Sequence, residues 1–348
     1  MINFKKHPLY QEDLRYILGV NGIDQLRDKK FMITGATGLI GVCMIDALME
    51  YNRLGANIEV FAVGRSLRGA SSRLGEYFRN EHFHFIEQDV REELPTDVNV
   101  DYIIPLASYT HPLAYSQYPI ETIEINVKGA ENALKHALKC GATVLYPSSV
   151  EVYGNAYGND VFIEDYTGIL NLTNARACYT ESKRLSEALC QSYIAERGGK
   201  VKIVRLSRVF GPTMLMSDSK ASSQFINKAL NGEKIVLKSK GEQLFSYTYM
   251  ADAIAAMLYV LIHGENGVPY NISSKECNVK LKDFAKTCAS AVGSDVVFEL
   301  PSEIEKKGFS VAQIAVLDCN RLNRLGFVSK YSFENAVDRT IKILMNYY

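Results

Sequence analysis

Short apolar runs alternate with amphipathic stretches up to about residue 206. Phe31–Thr34, Ile58–Val63, His82–Glu87, Tyr102–Leu106 and Thr143–Tyr146 read as strands. Most are largely apolar and give way to glycine or polar residues, as strands buried on both faces do. Leu39–Tyr51 and Ile120–Lys139 read as helices between them, and Tyr179–Arg197 followed by Lys202–Leu206 continues the alternation. This pattern predicts an α/β fold, a doubly wound parallel sheet with helices on both faces. Beyond Pro212 the segments become shorter and more mixed, with loops at Gly264–Gly267 and Pro301–Gly308. Residues 29–211 are therefore expected to form the main domain. Residues 212–348 are expected to form mainly a smaller α+β substrate lobe, with strands free to interleave with the main sheet. Residues 1–28 read as an N-terminal appendage with a short amphipathic helix around Gln11–Leu18.

Composition narrows the function. The 348 residues suit a large domain plus a smaller one. Formal net charge is zero, which excludes a nonspecific nucleic-acid binder but allows a local basic pocket. No apolar run reaches the roughly 20 residues needed to span a bilayer. The opening MINFKKHPLY lacks the apolar core of a secretory signal. The seven cysteines form no C-x-x-C pair and no metal-ligand cluster. They fit thiols in a reducing cytoplasm, with no metal site and no catalytic thiol.

The first strand runs into Thr34-Gly35-Ala36-Thr37-Gly38-Leu39-Ile40-Gly41, and a helix follows. Glycines let the backbone turn sharply and approach a pyrophosphate, and the helix N-terminus supplies N–H groups and a positive dipole end. The motif stands where a Rossmann-type dinucleotide site requires it, after a strand and at the head of a helix. It points to NAD or NADP. The second strand ends Ala62-Val63-Gly64-Arg65-Ser66, without the acid that usually binds the ribose 2′-hydroxyl of NAD. Arg65, with Ser66 and Arg68, suits a 2′-phosphate, which favours NADP; an arginine there can also stack on adenine. Asp89, after the third strand, is a candidate adenine contact or a plain helix cap.

Tyr179-Thr180-Glu181-Ser182-Lys183 sets Tyr and Lys four apart, on one face of a helix. A nearby ammonium is expected to lower the tyrosine pKa, so that the phenolate takes a proton from a hydroxyl as hydride leaves. Ser148-Ser149, at the end of a strand, can place a hydroxyl on the same group. Alone, Y-x-x-x-K is common; the glycine turn upstream gives it weight.

With these motifs the chain resembles the extended short-chain dehydrogenase/reductase superfamily of nucleotide-sugar epimerases, dehydratases and decarboxylases, over about Lys30 to Met345. It looks most like UDP-glucuronate decarboxylases in three places. These are the loop from Leu106-Ala107-Ser108 through Tyr118 to Thr122, the helix from Arg176 to Arg184, and the segment from Gly211 to Ile226. The resemblance implies a catalytic set of Ser149, Tyr179, Lys183 and Glu151. It implies a cofactor site of Gly35, Thr37, Gly38, Leu39, Ile40, Gly41, Arg65, Asp89, Val90, Leu106, Ala107 and Ser108. It implies a nucleotide-sugar site including Thr110, Arg176, Arg208 and Phe225. Phe225 reads equally as core packing. A homodimer through the helices around Ile120–Lys139 and Tyr179–Arg197 is also implied.

The chain departs from the family at several positions. Dehydratases carry Thr-Asp-Glu where this chain has Ser149-Val150-Glu151, so the acid for water loss is a valine. The nearest pattern is the Thr-Ser-Glu of decarboxylases. Arg208 stands where the family usually has Asn, and Phe245 where it has a phosphate-binding Arg; Arg208 is expected to compensate. The best-supported reaction passes through a transient 4-keto sugar, with decarboxylation first and epimerisation or 4-ketoreduction as alternatives. A non-catalytic NAD(P)-binding regulatory protein is the rival from another class, and the complete Ser149, Tyr179 and Lys183 set argues against it.

Overall fold

A computed structural model describes residues 4–110, 112–155, 161–299 and 313–345; the expected Pro301–Gly308 loop lies outside the described residues. Seven parallel strands form its main sheet. They are β1 (Lys30–Thr34), β2 (Glu59–Gly64), β3 (Phe83–Glu87), β4 (Tyr102–Pro105), β5 (Thr143–Ser149), β7 (Lys200–Leu206) and β11 (Pro269–Ile272). Their spatial order is β3-β2-β1-β4-β5-β7-β11. The chain builds outward from β1 to β3 and then crosses over to β4. The crevice above β1 and β4 is therefore the topological switch point, where ligands bind in sheets of this kind.

Alternation along the strands divides the core. Phe31 and Ile33 face an apolar cluster with α2 (Leu39–Arg53) and α8 (Met250–His263). Met32, Ile103 and Val144 face a second cluster, with α5 (Pro119–Cys140) and α6 (Ala177–Arg197). Successive side chains of a strand point to opposite faces, so each strand feeds both clusters. Helix α5 follows the short α4 (Pro112–Gln117), starts on Pro119 and stops at Gly141, which is left-handed at φ 68°.

The segment before residue 29 is not an appendage. Tyr10, Leu14 and Ile17 line one face of α1 (Pro8–Leu18) and are buried, and α1 packs on α8 and α2. Asp13 on the same helix is fully buried, accepting from Tyr249, Tyr331 and Arg339. Two turns into α2, Asp46 accepts from Lys5 at 2.7 Å and Tyr10 at 2.6 Å. A buried charge needs such partners, and they tie the N-terminal segment to the rest of the core.

A second sheet lies across the crevice. It runs β12 (Asn278–Lys280), β10 (Leu244–Tyr249), β14 (Ile314–Leu317), β6 (Val161–Phe162), and β8 (Arg208–Phe210) also pairs with β10. A two-stranded ribbon of β9 (Ile235–Leu237) and β13 (Val296–Phe298) and the helix α7 (Ala221–Leu230) complete this side. The sheets exchange segments. β11 and α8 lie beyond Pro212 in sequence yet join the main sheet, while β6 and β8 come before it and join the second. No described helix is long and apolar enough to cross a membrane.

Candidate active site

A cavity of about 640 Å³ opens above the C-terminal ends of β1, β4, β5 and β7. One wall is the glycine turn. Gly35 is left-handed at φ 63°, and a Cβ there would come within 2.6 Å of the Ala107 nitrogen. A Cβ on Gly41 would come within 2.5 Å of the Gly35 carbonyl oxygen. Only glycine fits at both positions, so the turn stays tight and its backbone faces the cavity. Gly38 is the N-cap of α2 and has no side chain to cover the first-turn N–H groups. That leaves a helix N-terminus presented to an anion. The strand after the switch point is tied to this wall, since the Ala107 N–H donates to Thr34 Oγ1 at 3.2 Å.

The floor carries the catalytic candidates. Ser149 is the last residue of β5, and Tyr179 lies in the first turn of α6. The two share a side-chain hydrogen bond. Ser149 Oγ also accepts the Glu151 N–H at 3.3 Å. Burial pushes the Tyr179 phenol up to about 12, the Ser149 hydrogen bond opposes this, and the Glu151 charge adds to it. The expected depression by Lys183 does not set this value. Lys183 instead donates to the Pro147 carbonyl at 2.9 Å, and burial lowers its ammonium to about 8.

A buried relay holds this floor together. Ser108 donates to Asn126 Oδ1 at 2.7 Å, Asn126 donates to Ser182 at 2.8 Å, and Ser182 donates to the Tyr179 carbonyl at 2.9 Å. Asn126 sits on α5 and bridges the loop after β4 to the catalytic helix. Sequence reading missed it; its signal, shared with Asn132, is an Asn on the inner face of a long helix, where a polar group needs buried partners. Ser148 lines the cavity with its hydroxyl buried and without a partner among the described residues.

The far wall is charged. Arg208 lies with its Cζ 3.8 Å from the centre of the Phe245 ring and its Nη2 3.5 Å from Glu151. Arg208 Nη1 is buried without a partner. Arg176, Lys183, Lys220 and Lys238 also line the cavity, against Glu151 as the sole lining carboxylate among the described residues. Lys220 and Lys238 were missed, because nothing local marks them; Gln243, in the same segment as Phe245, lines the cavity as well. Phe225 lines the cavity and sets its ring edge-on to Phe284 at 6.0 Å.

Of the expected residues, the structure brings Gly35, Gly38, Leu39, Ile40, Gly41, Leu106, Ser108, Thr110, Ser149, Glu151, Arg176, Tyr179, Lys183, Arg208 and Phe225 onto one cavity. Thr37, Arg65, Asp89, Val90 and Ala107 are not among its lining residues. Arg65 points to α5, 3.0 Å from Glu121, and lies over the Tyr109 ring. Asp89 is held by the Arg91 guanidinium at 2.7 Å and accepts the Arg91 N–H at 2.9 Å. It closes a turn and caps no helix, since none lies between β3 and β4, and Arg91 keeps its carboxyl below the usual range. Val90 is buried beneath Gly129 of α5.

The sequence matches the model of the NAD dependent epimerase/dehydratase family over residues 31–273. It is 32% identical to UDP-glucuronic acid decarboxylase 1 of Xenopus tropicalis, over 80% of this chain and 63% of that protein. The chain thus spans less than two thirds of that relative's length. It is 31% identical to UDP-glucuronic acid decarboxylase 6 of Arabidopsis thaliana, over 79% of this chain and 80% of the other. Among solved structures, the fold matches a UDP-glucuronic acid 4-epimerase of Bacillus cereus, solved with UDP-glucuronic acid and NAD. The TM-score is 0.77 at 19% identity, covering 92% of this chain and all of that one. A dTDP-glucose 4,6-dehydratase of Streptomyces venezuelae, solved with NAD, matches at TM-score 0.77 and 22% identity, over 91% of this chain and 97% of the other. With the family model covering most of the chain and the glycine turn and Tyr–Lys pair facing one cavity, the protein is an enzyme of the NAD dependent epimerase/dehydratase family.

Proposed function

We propose that this enzyme oxidises the C4 hydroxyl of a nucleotide-linked sugar acid, releases CO2 from its C6 carboxylate, and then reduces the ketone again. The observation that carries the substrate class is the cationic wall: Arg208, with a buried nitrogen that has no partner among the described residues, beside Glu151, in a cavity that Arg176, Lys238 and Lys220, the last paired with Asp218 at 3.1 Å, also line. A neutral sugar gives such a wall no charge to meet. A diphosphate and a carboxylate do, and a guanidinium binds either through paired N–H groups.

The residues present fit a nicotinamide dinucleotide. Gly35 and Gly41 form a backbone cradle that any Cβ would fill, and the α2 N-terminus faces it. When bound, that group supplies the hydride acceptor and later returns the hydride. The chain supplies the proton chemistry. Tyr179 Oη takes the hydroxyl proton once ionised, a form that the positive charge of a bound nicotinamide would favour against the effect of burial, and Ser149 Oγ holds the same oxygen. The resulting 4-keto group accepts the electron pair of the breaking C5–C6 bond as an enolate, and a proton then returns to C5. Glu151 exchanges the proton at that carbon, a role supported by its lining the same cavity and by its charge acting on Tyr179. Whether NAD or NADP is used turns on the end of β2, where Arg65 reaches a 2′-phosphate only by leaving Glu121.

The test is product mass after incubating the protein with UDP-glucuronate and other sugar nucleotides, each with NAD or NADP. A loss of about 44 mass units supports the reading. No mass change with an altered sugar would establish an epimerase, and no turnover with any sugar nucleotide would return the regulatory alternative. We also infer a homodimer through α5 and α6, supported by the exposed apolar Ile120, Ile123 and Leu185 on these helices; sedimentation at monomer mass would refute it. The seven cysteines, which form no disulfide among the described residues, support a cytoplasmic setting.

A further inference from the structure

The end of β2 lacks the acid that an NAD site normally uses, and the structure brings a carboxylate there from the next strand. In the parallel pairing of β2 with β3, Gly64 stands in register with Glu87. A Cβ built on Gly64 would point to the ring of Phe85, 3.4 Å away. Glu87, two residues beyond Phe85, shares that face of the strand. The direction Gly64 leaves empty is therefore the direction Glu87 takes. Its Oε1 accepts the N–H of Leu67, the first residue of α3 (Leu67–Leu74), at 2.8 Å. That bond holds the exposed carboxylate at the head of α3, beyond the end of β2.

Two charged groups nearby, Arg65 and Asp89, are committed elsewhere, while Arg68 is exposed on the first turn of α3. Arg65 is paired with Glu121 and Tyr109, on the side of α5. Asp89 is closed by Arg91. Ser66 Oγ accepts the Gly69 N–H as the N-cap of α3. In a sheet of this order the adenosine ribose lies over the end of the strand next to the glycine turn, which here is β2.

We propose that Glu87, reaching over from β3, accepts the hydrogen bond of the adenosine ribose 2′-hydroxyl and selects NAD over NADP. A free carboxylate oxygen accepts from a hydroxyl, whereas a 2′-phosphate would meet the same carboxylate as a like charge. This reverses the expectation of NADP drawn from Arg65. It rests on the reading that the cavity holds a nicotinamide dinucleotide.

The test is a pair of fluorescence binding titrations, NADH and NADPH, on the full chain stripped of any copurified nucleotide. The parent should bind NADH roughly tenfold or more tightly than NADPH, since a hydrogen bond to a charged group has about that worth. Glu87→Gln keeps an oxygen for the Leu67 N–H but loses the charge. It should weaken NADH roughly tenfold and leave NADPH equal or tighter. Gly64→Asp in that background returns an acid to β2, where its Cβ makes only an ordinary contact with Phe85. It should restore the preference for NADH. The readout is the ratio of the two affinities, so a variant that merely folds less well does not imitate the effect. A parent that prefers NADPH, or a ratio unchanged by Glu87→Gln, overturns the proposal and leaves the dinucleotide site standing. Failure of the parent to bind either nucleotide overturns both.

Discussion

At the glycine end of the cleft the groups facing the ligand are backbone: the turn from Gly35 to Gly41 and the head of α2. At the opposite end they are long side chains, Arg208, Lys220 and Lys238, carried on short strands and loops of the second lobe. A backbone site tolerates little change, because a Cβ at Gly35 or Gly41 would strike main-chain atoms. A side-chain site can be rebuilt by exchanging residues. Arg208 stacked on Phe245 shows such an exchange: two positions that both depart from the resembling family are in contact, at 3.8 Å. Between the two ends lie Ser149, Tyr179 and Lys183, which both must serve.

The largest effect is expected at that shared centre. Tyr179→Phe should lower turnover by roughly two to four orders of magnitude, the usual worth of a positioned acid–base group. NADH binding should survive, because the backbone end holds it. Single-turnover rates and the same fluorescence titration measure the two separately. Loss of both together would mean that the two ends are not separable.

The next effect sharpens the contrast at the charged end. Arg208→Asn should raise KM for a sugar nucleotide with a C6 carboxylate by roughly tenfold or more, with little change for its neutral counterpart. Phe245→Arg added to it should recover part of the loss, since the second position lies within reach of the same space. An Arg208→Asn enzyme with unchanged KM would remove Arg208 from recognition and weaken the case for an acidic sugar.

These two ends were not equally legible in the sequence. All seven main-sheet strands except β11 were readable to within about three residues at either end, because a strand buried on both faces leaves a continuous apolar run. The glycine turn was readable because φ and close approach dictate its residues. The second sheet was not. β6 has two residues and β8 three, too few to show a period of two, and their partners lie far along the chain. Lys220 and Lys238 look like any surface charge until the tertiary fold sets them on the cleft, and Glu87 until strand pairing sets it in register with Gly64. The N-terminal helix was readable as amphipathic, but the sequence could not say that Asp13 would find Tyr249, Tyr331 and Arg339.

Lys183 gives a third test, of what the shared centre costs the fold. Its ordinary value of 10.5 is lowered to about 8 by burial. Below pH 8 both folded and unfolded chains hold the proton, and the burial penalty, on the order of 3 kcal/mol, is present in full. Between 8 and 10.5 the unfolded chain binds more protons than the folded one, so this group adds stability as pH rises. Lys183→Met should therefore melt no lower than the parent at pH 7, despite losing activity, and its advantage should shrink toward pH 10. A variant clearly less stable at pH 7 would mean that the bond to the Pro147 carbonyl outweighs the burial penalty.

The smallest effect is expected at Val150, which lines the cavity beside Ser149 yet belongs to the apolar core and is 4% exposed. In the resembling dehydratases an acid stands here and delivers the proton that lets a C6 hydroxyl depart as water. Valine has no proton to give. A positioned acid is worth roughly two to four orders of magnitude, so its absence should leave dehydration negligible. Decarboxylation does not need it, because departing CO2 takes no proton and the enolate oxygen is held by Tyr179 and Ser149. Val150→Ser, which restores the decarboxylase-like triplet, should therefore change decarboxylation only a few-fold. The measurement offers dTDP-glucose, UDP-glucose, GDP-mannose and CDP-glucose with cofactor and follows the 4-keto-6-deoxy chromophore in alkali, beside CO2 release from UDP-glucuronate. Rapid colour from the parent with any of the four would show that another group delivers the proton, with Glu151 the nearest carboxyl to examine. A large gain or loss of CO2 release in Val150→Ser would show that this position takes part in the chemistry, and would move it from the apolar wall into the shared catalytic centre.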